Sequence, residues 1–306
     1  MGIGIDLGGT AIKAGIVNDQ GEILVERLIK TESHRGYAQV VDDLVALIKE
    51  LRCSSPEETV VGIGVPGILS SDGSTIVSCP NLQWQNVSLK RDIESQVAVE
   101  ALLVNDATAA CIAEAAFGST QGSANSVMFT LGTGVGGGVI LNNRIISGAH
   151  GVASEFGHML MAANFYDCAC GKNGCLETFS SATAIIRYCR MRLEEGDSSI
   201  LTATPNFDGK AIMDAAKAGD ELAGEAVNRL AEYLGWAIAN ISDIIDPEIV
   251  TIGGGLSYAG EYLLDKIKQE TIKRLTYPDY ARPEIVLAKF RNEAGLIGAA
   301  NLKRFL

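Results

Sequence analysis

Cys168, Cys170 and Cys175 fall within eight positions in a Cys-x-Cys-x4-Cys pattern broken by Gly171 and Gly174, and His158 lies ten residues upstream. Three soft thiolates and one imidazole complete the tetrahedral shell of a structural zinc site, leaving no open position for a reacting water. The chemistry expected is therefore architectural. Zinc held by His158, Cys168, Cys170 and Cys175 would fix the segments carrying two acids, Glu155 and Glu177. His150 is the rival fourth ligand, and His34 lies too far from the motif. Glu155 and His158 are three apart, so a turn or helix sets them on one face.

Two glycine-rich turns point to anion binding. Asp6-Leu7-Gly8-Gly9-Thr10 follows an apolar strand, and its glycines let backbone amides approach a phosphate while Thr10 donates a hydroxyl. A carboxylate at the strand end, Asp6, suits a hydrated Mg²⁺; the plain alternative is a tight hairpin turn. Leu131-Gly132-Thr133-Gly134-Val135-Gly136-Gly137-Gly138 contains a G-x-G-x-x-G match. As a dinucleotide fingerprint it is weak, because an apolar strand follows where that fingerprint needs a helix. Gly253-Gly254-Gly255, at a strand-to-helix turn, is either a wall for a nucleoside or close packing. Asn105-Asp106 ends a strand and opens a helix, so Asp106 is either an N-cap or a general base. Pro66-Gly67 and Pro80-Asn81 are turns able to present polar groups to a ligand.

The elements that must position these residues come in two similar sets. Residues 3–21 and 127–144 each read as strand, Gly/Thr-rich turn, strand, then a polar turn around Asn18-Asp19 or Asn142-Asn143. Two domains of similar build explain the repeat. The expected division is 1–117 with a C-terminal helix 292–306, against 118–291 with the cysteine motif. Apolar spacing predicts helices over 36–52, 107–117, 178–194, 221–245, 259–275 and 291–304. Strands are predicted at 59–65, 101–104 and 248–252, and a surface loop at 195–212. Strands alternating with helices make an α/β fold.

Bulk properties narrow the function. The 306 residues suffice for two cores, and a net charge of −12 opposes general attraction to nucleic acid. No apolar run reaches the ~18 residues needed to cross a bilayer. The start has no basic n-region, so no signal peptide and a cytoplasmic location are expected. Seven cysteines with three clustered suit a reduced compartment and a metal; Cys53, Cys79, Cys111 and Cys189 read as small buried hydrophobes.

Taken in order, DLGGT at 6–10, GVPG at 64–67, NDA at 105–107, LGTGVGGG at 131–138, ExGH at 155–158, CxCGxxGCxE at 168–177 and IGGG at 252–255 resemble the ROK family of bacterial sugar kinases and related repressors. The resemblance implies a two-lobed actin/hexokinase-like (ribonuclease H-like) ATPase fold with structural zinc, closing over ATP, Mg²⁺ and a hexose. It implies Asp106 as catalytic base and Gly67, Asn81, Asn105, Asp106, Glu155, His158 and Glu177 as sugar-binding. The nucleotide set would be Asp6, Gly8, Gly9, Thr10, Lys13, Gly132, Thr133, Gly134, Gly254 and Gly255. Val104, Thr108 and Ser154 depart from common family residues; Ser154 stands where Gly is usual. The implied reaction is phosphorylation of a hexose at its 6-hydroxyl, most like a bacterial glucokinase. N-acetylmannosamine, N-acetylglucosamine and other hexose kinases are the alternatives, and a non-catalytic sugar-responsive regulator is a distant one. That regulator carries a DNA-binding domain ahead of the first hairpin, for which five residues before Asp6 leave no room. A dimer or tetramer, with no nucleic-acid or membrane partner, completes the expectation. On it the cysteine cluster braces the sugar side, remote from the phosphate turns.

Overall fold

The repeat seen in the sequence is a repeat of sheets. In the computed structural model, which describes residues 1–204 and 206–306, one five-stranded sheet runs Ile23–Lys30, Ala11–Val17, Gly2–Leu7, Val60–Val65, Glu100–Asn105 in spatial order. The other runs Arg144–Ile145, Val135–Leu141, Ser126–Leu131, Ile249–Gly253, Glu284–Leu287. Numbered by appearance, both have the order 3-2-1-4-5. In the first sheet an antiparallel hairpin edge (Leu7 opposite Ile12) adjoins parallel strands (Ile3 opposite Val61, Val65 opposite Asn105). In the second, Ser126–Leu131 and Glu284–Leu287 flank Ile249–Gly253 in parallel. The turn at Asn142-Asn143 has positive φ at both residues (52° and 61°), the geometry a two-residue hairpin turn with strand-matching twist requires.

Two compact units emerge: 1–124, 138–154 and 289–306; and 125–137 with 155–288. This differs from the division expected at 117/118, and the reason is packing. Gly138 sits so close to the Asp106–Phe117 helix that a Cβ there would lie 2.5 Å from that of Cys111, and Gly151 is equally tight on Leu69. Segment 138–154 therefore belongs with the first unit.

In the first unit, Leu44, Ile48 and Leu51 of the Tyr37–Ser54 helix cover Ile3, Ile5 and Ile63 of the sheet. On the short Ala294–Ala300 helix, backbone meets backbone. Cβ atoms at Gly4 and Gly62 would lie 2.1 Å and 1.8 Å from the carbonyls of Leu296 and Ala299, so only glycine permits this contact. The long Glu221–Ile245 helix, capped by Asp220 accepting from Ala223 N at 2.9 Å, anchors the second unit.

Some elements were not foreseen. The predicted 178–194 helix breaks at Ser181, whose extended backbone and hydroxyl cap a new helix, Ala182–Glu194, at Ala184 N. Part of the predicted 195–212 loop is helical, because Asp208 caps Gly209–Lys217 and Ile212 and Met213 are buried. A three-stranded sheet (Ile68–Leu69, Ile76–Cys79, Trp84–Val87) fills the stretch read only as turns. Cys79, Cys111 and Cys189 are buried, but Cys53 is exposed. Among the described residues no helix is long and apolar enough to cross a membrane.

Candidate functional site

In the first unit, parallel register places Asp6 beside Gly64 and Gly64 beside Val104, so Asp6, Pro66-Gly67 and Asn105-Asp106 gather at one edge, the carboxyl ends of the strands. Ligands of open α/β sheets bind at that edge. Asn105, not Asp106, is the N-cap. Its Oδ1 accepts from Ala107 N at 3.0 Å and Thr108 N at 3.2 Å, while its Nδ2 donates to the Gly67 carbonyl at 3.3 Å. Asp106 is the first helical residue, with Oδ1 accepting from Ala107 N at 2.9 Å. Burial pushes the neighbouring Cys79 thiol up, and the charge of Asp106 adds to the shift.

The Gly8–Thr10 turn is built to leave amides open. Gly8 N bonds Ala11 O across the turn at 2.9 Å. Buried Thr31 then ties down two carbonyls, Gly8 O through its hydroxyl at 2.6 Å and Thr10 O through its amide at 3.0 Å. Among the described residues, no hydrogen bond engages the amides of Gly9 and Thr10. Asn81 lies against this turn, because a Cβ on Gly9 would meet the Asn81 Cβ at 3.4 Å. Burial raises the Asp6 carboxyl above its ordinary range and Lys13 pulls it partly back. Such a group gains from an arriving cation. Lys13 itself donates to the Asn292 carbonyl at 2.6 Å.

The second unit repeats the device. Gly132 N bonds Gly134 O at 3.0 Å, Ala182 N holds Gly132 O at 2.8 Å and the Thr183 hydroxyl holds Thr133 O at 2.8 Å. All three carbonyls of the turn are engaged. The amides of Thr133 and Gly134 have no partner among the described residues. Successive open amides of this kind form an anion-binding nest. Of the third glycine group, Gly254 has φ 81° and packs within 2.5 Å of Leu131 backbone as measured from a hypothetical Cβ, so close packing explains it. Gly255 faces open space.

The cysteine motif folds as a small hairpin. Leu160 bridges Cys175 and Asp167 bridges Asn173, with Gly171 and Gly174 at φ 85° and 94° making the turns. The Asn173 side chain ties the loop together through Asn164 and Asp167. The result brings ligand atoms of His158, Cys168, Cys170 and Cys175 within 4.8 Å of one another. Cys170 Sγ and Cys175 Sγ are 3.6 Å apart, and Cys168 Sγ is 3.7 Å from His158 Nδ1. This is the spacing of donors around a shared cation, far from a disulfide. Of the two candidate histidines, the one in the cluster is His158. Its other nitrogen, Nε2, lies 4.0 Å from Glu155 Oε2. Burial pushes the Cys168 thiol up to about 12, whereas the Lys172 amide lowers Cys170.

Ser154, which stands where Gly is usual, adopts φ 69°, a left-handed backbone suited to glycine, and its buried hydroxyl has no partner among the described residues. One feature runs against the sequence reading. The cluster's segment is not remote from the Gly132–Gly134 turn. Glu177 Oε2 accepts from Val135 N at 3.1 Å, immediately after the Gly132–Gly134 turn. Residues the sequence did not flag also serve the site. Thr31, Ala182 and Thr183 carry no motif, and the Ser181-Ala182-Thr183-Ala184 run is their one visible trace.

Known proteins share this arrangement. Residues 2–304 match the ROK family. The glucokinase of Streptomyces coelicolor is 36% identical, with 99% of this chain and 97% of that protein covered. An N-acetylmannosamine kinase of Escherichia coli is 28% identical over 97% of this chain and 96% of its own length. A crystal structure of a ROK family glucokinase from Streptomyces griseus in complex with glucose and AMPPNP superposes with a TM-score of 0.81, at 33% identity and 98% coverage of both chains. With the family match spanning nearly every residue, the chain belongs to the ROK family.

Proposed function

We propose that the protein transfers the γ-phosphoryl group of ATP to the 6-hydroxyl of a hexose, with glucose the favoured sugar. The observation that carries this reading is the pair of glycine turns whose carbonyls are tied down and whose amides at Gly9, Thr10, Thr133 and Gly134 stay open. At each turn two such donors suit the oxygens of a phosphate group. Asp106 accepts the proton of the 6-hydroxyl as its oxygen attacks the γ-phosphorus in line, and ADP departs with the bridging oxygen. Asn105 takes the helix cap, and Asp106 opens the helix with one carboxylate oxygen on Ala107 N. Asp6 would hold the Mg²⁺ that accompanies ATP, a cation that would neutralise phosphate charge. Asn81, Asn105, Glu155, His158 and Glu177 bind sugar hydroxyls, with Gly67 contributing backbone.

The four-residue cluster fits zinc. Bonds of about 2.3 Å to sulfur in a tetrahedron set donors roughly 3.7 Å apart; two of the pairs lie at 3.6 and 3.7 Å, and all four donors fall within 4.8 Å of one another. His158, Cys168, Cys170 and Cys175 would hold the ion, which supplies a fixed cross-link and no reacting ligand position. Greater identity to a glucokinase than to an N-acetylmannosamine kinase, 36% against 28%, favours glucose. Two measurements test the reading. Asp106→Asn is expected to lower kcat by about 10²–10⁴-fold while glucose still binds; turnover near wild type would sink the assignment. ADP release measured over glucose, mannose, fructose and the two N-acetylhexosamines is expected to favour glucose. An N-acetylhexosamine leading by about tenfold in kcat/KM would overturn the choice of sugar.

A further inference from the structure

The second glycine turn is gripped by the very segments that carry the cluster's ligands. Val135 follows the turn and is held on both sides. Its N–H donates to Glu177 Oε2 at 3.1 Å, and its carbonyl faces Gly157 so tightly that a Cβ there would lie 2.2 Å from the oxygen. Glu177 is two residues beyond Cys175, and Gly157 adjoins His158. Phe156 adds to the contact, since a Cβ on Gly137 would come within 2.3 Å of its ring, and that ring packs on Phe129 at 4.9 Å. Glu177 is fixed from below as well. Leu176 N bonds Met159 O at 2.8 Å, the Thr178 hydroxyl bonds the Cys175 carbonyl at 2.7 Å, and Glu177 Oε1 lies 3.7 Å from Cys168 Sγ. Finally, a Cβ on Gly134 would stand 2.2 Å from Glu177 Oε2, so the carboxylate lies directly against the turn.

A Gly-Thr-Gly turn has wide conformational freedom of its own. Its open amides bind an anion well only when their directions are set beforehand. We propose that the His158, Cys168, Cys170 and Cys175 cluster sets those directions, by placing Gly157 and Glu177 against Val135, so that loading of the cluster controls affinity for nucleotide phosphates. Glu177 is the positioning residue in this link. The inference rests on the proposed reading of the Gly132–Gly134 turn as a phosphate site.

The test is the binding of a fluorescent ATP analogue without sugar, so that neither turnover nor a sugar-binding role of Glu177 enters. In the metal-loaded protein, Glu177→Ala, Gly134→Ala and the double variant are each expected to weaken binding by about tenfold, because all three sever one link. Glu177→Gln, whose amide oxygen still accepts from Val135 N, is expected to bind within about twofold of wild type. Stripping the metal from wild type should weaken the analogue similarly, and stripping Glu177→Ala should add little. Additive losses in the double variant, or an unchanged affinity in Glu177→Ala, would overturn the inference while leaving the proposed kinase reading intact. A wild-type protein that binds no analogue at all would overturn both.

Discussion

The two glycine turns do the same thing with different supports. In the first unit one residue, Thr31, holds the carbonyls of Gly8 and Thr10 with its own hydroxyl and amide, and it is completely buried. In the second, the work is divided. Ala182 and Thr183, at the start of a helix, hold Gly132 and Thr133, while Glu177 and Gly157 fix the exit of the turn at Val135. The first support comes from the end of the adjoining strand, Ile23–Lys30, and needs no cation. The second is built on a hairpin whose residues are mostly exposed or half-buried, beside a cluster of four donor atoms within 4.8 Å of one another. A shared architecture therefore does not mean a shared source of rigidity: one turn is braced by burial, the other, on the proposed reading, by a metal cross-link.

The largest effect that could break this comparison is removal of the cross-link. Treating the protein with a strong chelator is expected to lower Tm on the order of 5–10 °C. The change should be regional. Amide exchange should rise over 155–177 and 132–135 and stay as it was over 8–12, where Thr31 alone does the bracing. Equal loosening of both turns would show that the two supports are not independent.

A smaller effect sharpens the contrast at single residues. Gly134→Ala brings a methyl within 2.2 Å of the Glu177 carboxylate, whereas Gly9→Ala brings one to 3.4 Å of the Asn81 Cβ, ordinary contact after slight adjustment. Neither glycine has a positive φ, so sterics alone should decide. Gly134→Ala is expected to cost about 1–3 kcal/mol, and Gly9→Ala less than about 1 kcal/mol, in chemical denaturation. Equal costs would mean that the carboxylate yields freely and does not pin the turn.

How far the sequence disclosed these supports depends on range. The turns themselves are written locally: glycines after an apolar strand, a second strand, then Asn142-Asn143. The same holds for the metal cluster, because three thiols within eight residues, parted by glycines, suit a shared cation and little else. The braces are long-range, and apart from the Ser181-Ala182-Thr183-Ala184 run they leave no local trace. Glu177 meets Val135 across 42 positions, and Thr183 meets Thr133 across 50. Thr31 follows a strand whose residues are mostly exposed, so periodicity did not reveal even the strand that delivers it. Ser181 looked like one more polar position in a helix, yet its hydroxyl splits that helix and sets Ala182 and Thr183 at the start of the second segment. The division of the chain was missed for a related reason: Gly138 belongs by sequence to one hairpin and by packing to the Asp106–Phe117 helix.

The finest contrast lies between the two threonines. Each hydroxyl donates to a turn carbonyl, at 2.6 Å from Thr31 and 2.8 Å from Thr183, so bond length alone predicts equal worth. Burial predicts otherwise. Thr31 is 0% exposed, and its replacement by isosteric valine strands the Gly8 carbonyl where the hydroxyl was its partner. That loss should cost about 1–2 kcal/mol and lower affinity for an ATP analogue through the first turn. The Thr183 bond is solvent-exposed, and water can replace the hydroxyl on the Thr133 carbonyl. Thr183→Val should therefore cost less than about 0.5 kcal/mol. Denaturation midpoints of the two variants decide the matter. If Thr183→Val proves the costlier, the second turn depends on its helix more than on the segments carrying Gly157 and Glu177, and the contrast between burial and the proposed cross-link as sources of rigidity fails.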